Sequence, residues 1–102
     1  MKATDECLAR VARQLEDLDP DEADYSTADG SVTIEFPDGT KFILSRQSAT
    51  RQIWLAAGAH GFHYSFDAES GRWLDDKDGH ELFGRLGEEI GDKVGHQVSF
   101  GE

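Results

Sequence analysis

Residues 51–66 read RQIWLAAGAHGFHYSF. Taken with period two, Ile53, Leu55 and Ala57 point one way, and Gln52, Trp54 and Ala56 the other. Past the turn AGAHG, Phe62, Tyr64 and Phe66 share one face, with His63 and Ser65 opposite. Two runs with this phase around a glycine-containing turn predict a hairpin that is apolar on one side only. Such a hairpin belongs to an antiparallel sheet with one face buried and one face in water. Trp54 stands out, because the largest apolar side chain of the hairpin falls in the polar phase. Two readings follow from the pattern: a contact surface, or a single exposed apolar residue of the kind most proteins carry.

Working outward, SVTIEF at 31–36 alternates Val32, Ile34 and Phe36 against Thr33 and Glu35. Pro37-Asp38-Gly39-Thr40 is a tight turn. KFILS at 41–45 is the next strand, with ambiguous facing because Phe42, Ile43 and Leu44 are all apolar. After the hairpin and the turn DAESG, RWLD at 72–75 makes a short last strand, with Trp73 predicted in the core. A helix is predicted over 4–18, where Leu8, Val11, Ala12, Leu15 and Leu18 form one stripe. Thr4 is its expected cap, and Pro20 disfavours helix at Asp19. A second helix carries Leu82, Phe83, Leu86 and Ile90, with Asp78 and Glu81 at capping-box spacing. QVSF at 97–100 is a short extended tail. The order is helix, five-strand meander, helix. Two amphipathic helices cover one face of a small antiparallel sheet, which is a two-layer α+β sandwich with the Trp54 face open.

The chain has 102 residues, the length of a single domain over 1–102. Its one cysteine, Cys7, excludes an intramolecular disulfide and a thiolate metal cluster within one chain. The start, MKATDE, has no apolar or Arg/Ser-rich targeting pattern, and no apolar run is long enough to span a membrane. A cytoplasmic protein is the expectation. The net charge is −11, from 21 acids against 10 bases, which argues against a nucleic-acid partner. The first 38 residues hold 11 of those acids and only three bases.

No residue set matches a nucleophile motif, a phosphate loop or HExxH, so no enzyme activity is expected. The chemistry that remains is acidic. Glu16, Asp17, Asp19, Asp21, Glu22 and Asp24 are six carboxylates within nine residues. Hard oxygen ligands suit hard cations such as Ca²⁺, Mg²⁺, Mn²⁺ or iron, and without a cage such binding is open and weak. The sequence DPDEADYSTADG does not match an EF-hand loop. A solvated acidic face is the plain alternative.

The assembled pattern resembles the frataxin family, and most closely its bacterial, CyaY-type branch. The resemblance runs from about Leu8 to Phe100. Its most specific part is Arg46-Gln47 followed by Gln52-Ile53-Trp54-Leu55-Ala56 and Gly61-Phe62-His63-Tyr64, with Trp73 and Asp78-Gly79 in order. Ser45 and Ala49 depart from the Asn and Pro that many members carry. The resemblance implies an acidic ridge on the first helix and the edge of the first strand that binds ferrous and ferric iron weakly. Carried over, the ridge is Glu16, Asp17, Asp19, Asp21, Glu22 and Asp24, with Glu35 and Asp38 as lesser members. It also implies a role as an iron-dependent regulator of iron–sulfur cluster assembly. The partners would be the cysteine desulfurase and the scaffold protein, met by Gln47, Gln52, Trp54 and His63. A monomer able to form metal-induced oligomers is the matching state. The rival expectation is an acidic protein-interaction module whose iron binding is incidental.

Overall fold

The structure is a computed structural model and describes residues 2–19, 21–28, 30–47, 49–95 and 97–98, the side chains of Lys2 and Ala3 excepted. In chain order its elements are α1 (Lys2–Leu15), β1 (Asp24–Ala28), β2 (Ser31–Glu35), β3 (Lys41–Gln47), β4 (Gln52–Ala57), β5 (His60–Asp67), β6 (Arg72–Asp75) and α2 (Leu82–Val94). The strands form one antiparallel sheet in the order β1-β2-β3-β4-β5-β6. Both helices lie on one face, α1 against β1, β2 and β3 and α2 against β6. This is the two-layer α+β sandwich expected from the pattern.

The hairpin behaves as its phase requires. Ile53, Leu55 and Ala57 are buried, and the register places Ile53 opposite Tyr64 and Leu55 opposite Phe62. Its turn is tighter than AGAHG, because Ala57 already pairs with His60 across Gly58 and Ala59. Gly58 adopts φ 63°, which glycine reaches without a Cβ penalty. In β3 the ambiguity resolves cleanly: Phe42 and Leu44 are buried and Ile43 faces outward. Trp73 is buried, as expected. The core continues through Val11, Leu15, Ile34, Leu86 and Ile90, all essentially without exposure.

Several expectations are corrected. The sheet has six strands, not five: DYSTA forms β1 on the outer edge, within a stretch read as loop. Its residues are largely exposed on both sides, so no alternation marks it. The first helix runs over 2–15 rather than 4–18, and Thr4 lies inside it, fully buried, rather than capping it. After Leu15 the amides of Asp17 and Leu18 bond only three residues back, which ends the regular α ladder. The α2 cap is Glu81, not Asp78: the Glu81 carboxylate accepts from the amides of Phe83 and Gly84. Phe66, assigned to the core face, is exposed. It sits beside a gap between the helices lined by Glu6, Cys7, Arg10, Trp73 and Phe83. The tail at 97–100 runs into residues outside those described.

Candidate functional site

Two surfaces follow from this arrangement. The first is the outer face of the sheet, which no helix covers. Cross-strand register puts Ser45, Trp54 and His63 in one row and Gln47, Gln52 and Ser65 in the next. The four residues expected at a partner contact, Gln47, Gln52, Trp54 and His63, are therefore neighbours on one face. Trp54 is 37% exposed and stacks on His63 with ring centroids 4.3 Å apart and 16° between planes. Its indole Nε1 donates to Gln52 Oε1 at 3.0 Å. Gln52 Nε2 in turn donates to Ser65 Oγ at 3.2 Å and to Asp76 Oδ2, and Ser65 Oγ donates to Asp76 Oδ1 at 3.0 Å. Gln47 Nε2 donates to Ser45 Oγ at 3.2 Å. The indole is thus held flat and in one orientation before any partner arrives, which lowers the ordering cost of binding.

Sequence reasoning missed two contributors to this face, Ile43 and Asp76, and placed a third, Ser65, on it without assigning it a contact. Ile43 is 40% exposed and lies beside Ala56 in register. The period-two pattern already put Ser65 in phase with His63. Asp76 lies past the end of β6 and carried no signal of its own.

The second surface is the acidic one. Glu16 and Asp17 are exposed in the turn after α1, and Asp19, Asp21 and Asp24 are exposed beyond it. Glu22 is half-buried. Asp19 organises the loop: its Oδ1 accepts from the Asp21 amide at 2.9 Å, and its carbonyl accepts from the amides of Glu22 and Ala23. Asp24 opens β1 opposite Glu35. Tyr25 bridges strand and turn, its hydroxyl donating to Glu16 Oε1 at 3.3 Å. Partial desolvation, then the Glu16 charge, pushes the Tyr25 hydroxyl up from its ordinary value.

Asp38, a lesser candidate, is already engaged. Lys93 Nζ lies 3.0 Å from its Oδ2 and also donates to Thr40 Oγ1. Bonds from Thr40, then from Lys93, hold the Asp38 carboxyl down at about 2.

The ridge donors are all carboxylates on an open surface, which fits a hard cation chemically. Among the described residues, however, no three of them bring ligand atoms within 4.8 Å of one another. An ion here would hold one or two carboxylates and keep most of its water.

Comparison with known proteins agrees with the geometry. A family model described as frataxin-like domain matches residues 1–96. The iron–sulfur cluster assembly protein CyaY of Azotobacter vinelandii is 36% identical over 98 residues, covering 96% of this chain and 88% of that protein. Its counterpart in Pseudomonas fluorescens is 38% identical over 96 residues, 94% of this chain and 86% of that one. Among solved structures, frataxin from Psychromonas ingrahamii superposes with TM-score 0.88 at 30% identity, covering 99% of this chain and 93% of that one. Trimeric frataxin from the yeast Saccharomyces cerevisiae, in a ferrous complex, superposes with TM-score 0.78 at 26% identity, covering 91% and 86%. The chain belongs to the frataxin-like family.

Proposed function

We propose that this protein binds iron weakly on its acidic ridge and regulates iron–sulfur cluster assembly by docking on the cysteine desulfurase and its scaffold. The observation that carries this reading is the uncovered sheet face on which Trp54 is held by His63 and Gln52. A rigid, half-exposed indole is the kind of anchor that dominates protein contacts. The acidic loop leads into β1, three strands from β4, about 14 Å across the sheet at the usual strand spacing. Charge there steers a basic partner, and the indole holds it. The names of the curated relatives and the ferrous complex of the yeast protein support the same reading. The protein performs no catalysis of its own, works in the cytoplasm, and treats iron as cargo or signal. It is a monomer until metal brings copies together.

A second reading has one observation in its favour. The ridge carboxylates do not converge on a common point, as an acidic docking surface with incidental iron binding requires. Desulfurase turnover in the presence of scaffold, with and without Fe²⁺, separates the two. Turnover that responds to this protein more strongly when iron is present supports the regulatory reading. An equal response with and without iron leaves docking alone. No response at saturating protein overturns both.

A further inference from the structure

Outside the ridge, one set of side chains does converge. Asp75, Asp78 and His80 offer one ligand atom each, all within 4.8 Å of one another, in the loop between β6 and α2. We propose that this loop is a second metal site, which takes a divalent first-row transition ion through Asp75, Asp78 and His80 Nδ1.

The loop is built before any ion arrives. The Asp75 amide donates to the His80 carbonyl at 2.9 Å, and the Asp75 carbonyl accepts from the Gly79 amide at 3.1 Å. Gly79 turns the chain at φ 76°. Asp75 Oδ2 accepts from the amides of Lys77 and Asp78. The Asp75 side chain is only 5% exposed, and His80 Nδ1 at 4.0 Å is its sole ion-pair partner among the described residues. The two amides hold this buried carboxylate in its charged form, and a cation beside it would stabilise it further. Asp78 is 65% exposed, and its Oδ1 meets the same imidazole nitrogen and accepts from the His80 amide at 3.0 Å; an ion on Nδ1 takes the place of the Asp78–imidazole contact, with the exposed carboxylate turning to ligate it.

The ring is fixed from behind. His80 Nε2 meets the Tyr64 hydroxyl at 2.7 Å, and the imidazole packs edge-on to Phe62 and Tyr64. A ligating histidine characteristically uses one nitrogen for the metal and the other for a hydrogen bond that sets its orientation. With an ion on Nδ1, Nε2–H donates to the Tyr64 oxygen. The Arg85 guanidinium, whose charge also acts on Asp78, lies over the Phe62 ring and pairs with Glu88 and Glu89 at 3.7 and 4.0 Å. Imidazole with two carboxylates selects borderline ions such as Zn²⁺, Co²⁺ or Fe²⁺ over Mg²⁺ and Ca²⁺. Three protein ligands leave the remaining positions to water. The loop follows β6, five strands from the ridge at β1, so the two sites are physically separate.

The test is an NMR titration of the full chain with Zn²⁺ alone, following the histidine ring and backbone amide signals. Expected is a saturable 1:1 shift of the His80 ring and of residues 75–80, undiminished by excess Mg²⁺. Asp78→Ala removes an exposed ligand and should leave the fold intact. It should weaken Zn²⁺ by at least about tenfold, the loss that even outer-shell changes produce at metal sites. Replacing Glu16, Asp17, Asp19 and Glu22 by Lys should leave this binding unchanged, so failure of the ridge reading and failure of this one are told apart. A His80 ring unmoved at millimolar Zn²⁺, or Asp78→Ala binding Zn²⁺ as tightly as wild type, overturns the proposal.

Discussion

Replacing Trp54 by Ala tests the facing of the central hairpin and the use of its outer side. Two contacts are lost within the chain. The stack on His63 contributes about 1 kcal/mol, the middle of the range for aromatic pairs. The hydrogen bond to Gln52, at an exposed position, contributes about 0.5 kcal/mol. Covered ring area adds a little more. The indole keeps over a third of its surface in water, 37% by residue, so the full core penalty does not apply. The expected loss is about 2 kcal/mol, against about 3–5 for truncating a fully buried aromatic such as Tyr64. For a domain of this size that is a fall in Tm of roughly 10 °C. Urea and thermal unfolding of Trp54→Ala and Tyr64→Ala, side by side, provide the measurement. On the proposed docking to the desulfurase complex, the same substitution should cost about 2 kcal/mol or more, roughly 30-fold in Kd, mostly through faster dissociation. A stability loss equal to that of Tyr64→Ala would mean that the ring is core. A stable variant that binds like wild type would leave the outer face without a role.

Three further outcomes are expected. Changing Glu16, Asp17, Asp19 and Glu22 to Lys should slow association with a basic partner and flatten its salt dependence while the far-ultraviolet circular dichroism stays unchanged; stopped-flow association at two ionic strengths checks this. The Asp38 carboxyl is held near 2 in the folded chain, below its ordinary value, so its contribution to stability is complete above about pH 4 and fades as pH falls through about 2. The Tm advantage of wild type over Asp38→Asn should therefore be present at pH 6 and gone at pH 1.5. Burial pushes the Cys7 thiol up to about 12, so native protein at pH 8 should react with a disulfide reagent only as fast as it opens, and immediately in urea.

The parts of this molecule that could be read in its sequence are those where one face is wet and the other dry. β4 alternates between exposed and buried positions, and its phase alone turned Trp54 outward. β1 failed the same reading because Asp24, Ser26, Thr27 and Ala28 are all exposed. An edge strand without a dry face leaves no period to find. The α2 cap was misassigned by three residues, because Asp78 spends its carboxylate on the His80 amide and ring while Glu81 reaches the helix amides. Spacing cannot distinguish these two uses. The acidic residues were legible as a composition, but their failure to converge was not. Convergence depends on the turn that follows α1, and the sequence gives no distances. The Asp75–Asp78–His80 set escaped for the complementary reason: Asp75 read as a strand end, Asp78 read as a cap, and nothing in the sequence linked either to His80.

The up-and-down order of the sheet also bears on how the chain folds. Every ladder joins strands that are consecutive in sequence, so the sheet can zip hairpin by hairpin with only short loops to close. The long closures are left to the helices. Asp5 of α1 reaches Arg46 across 41 residues, and Lys93 of α2 reaches Asp38 across 55. The ion pair of α1 thus waits for the third strand before it can form. Until then α1 has only the two nearer strands it touches, β1 and β2, to cover its apolar stripe.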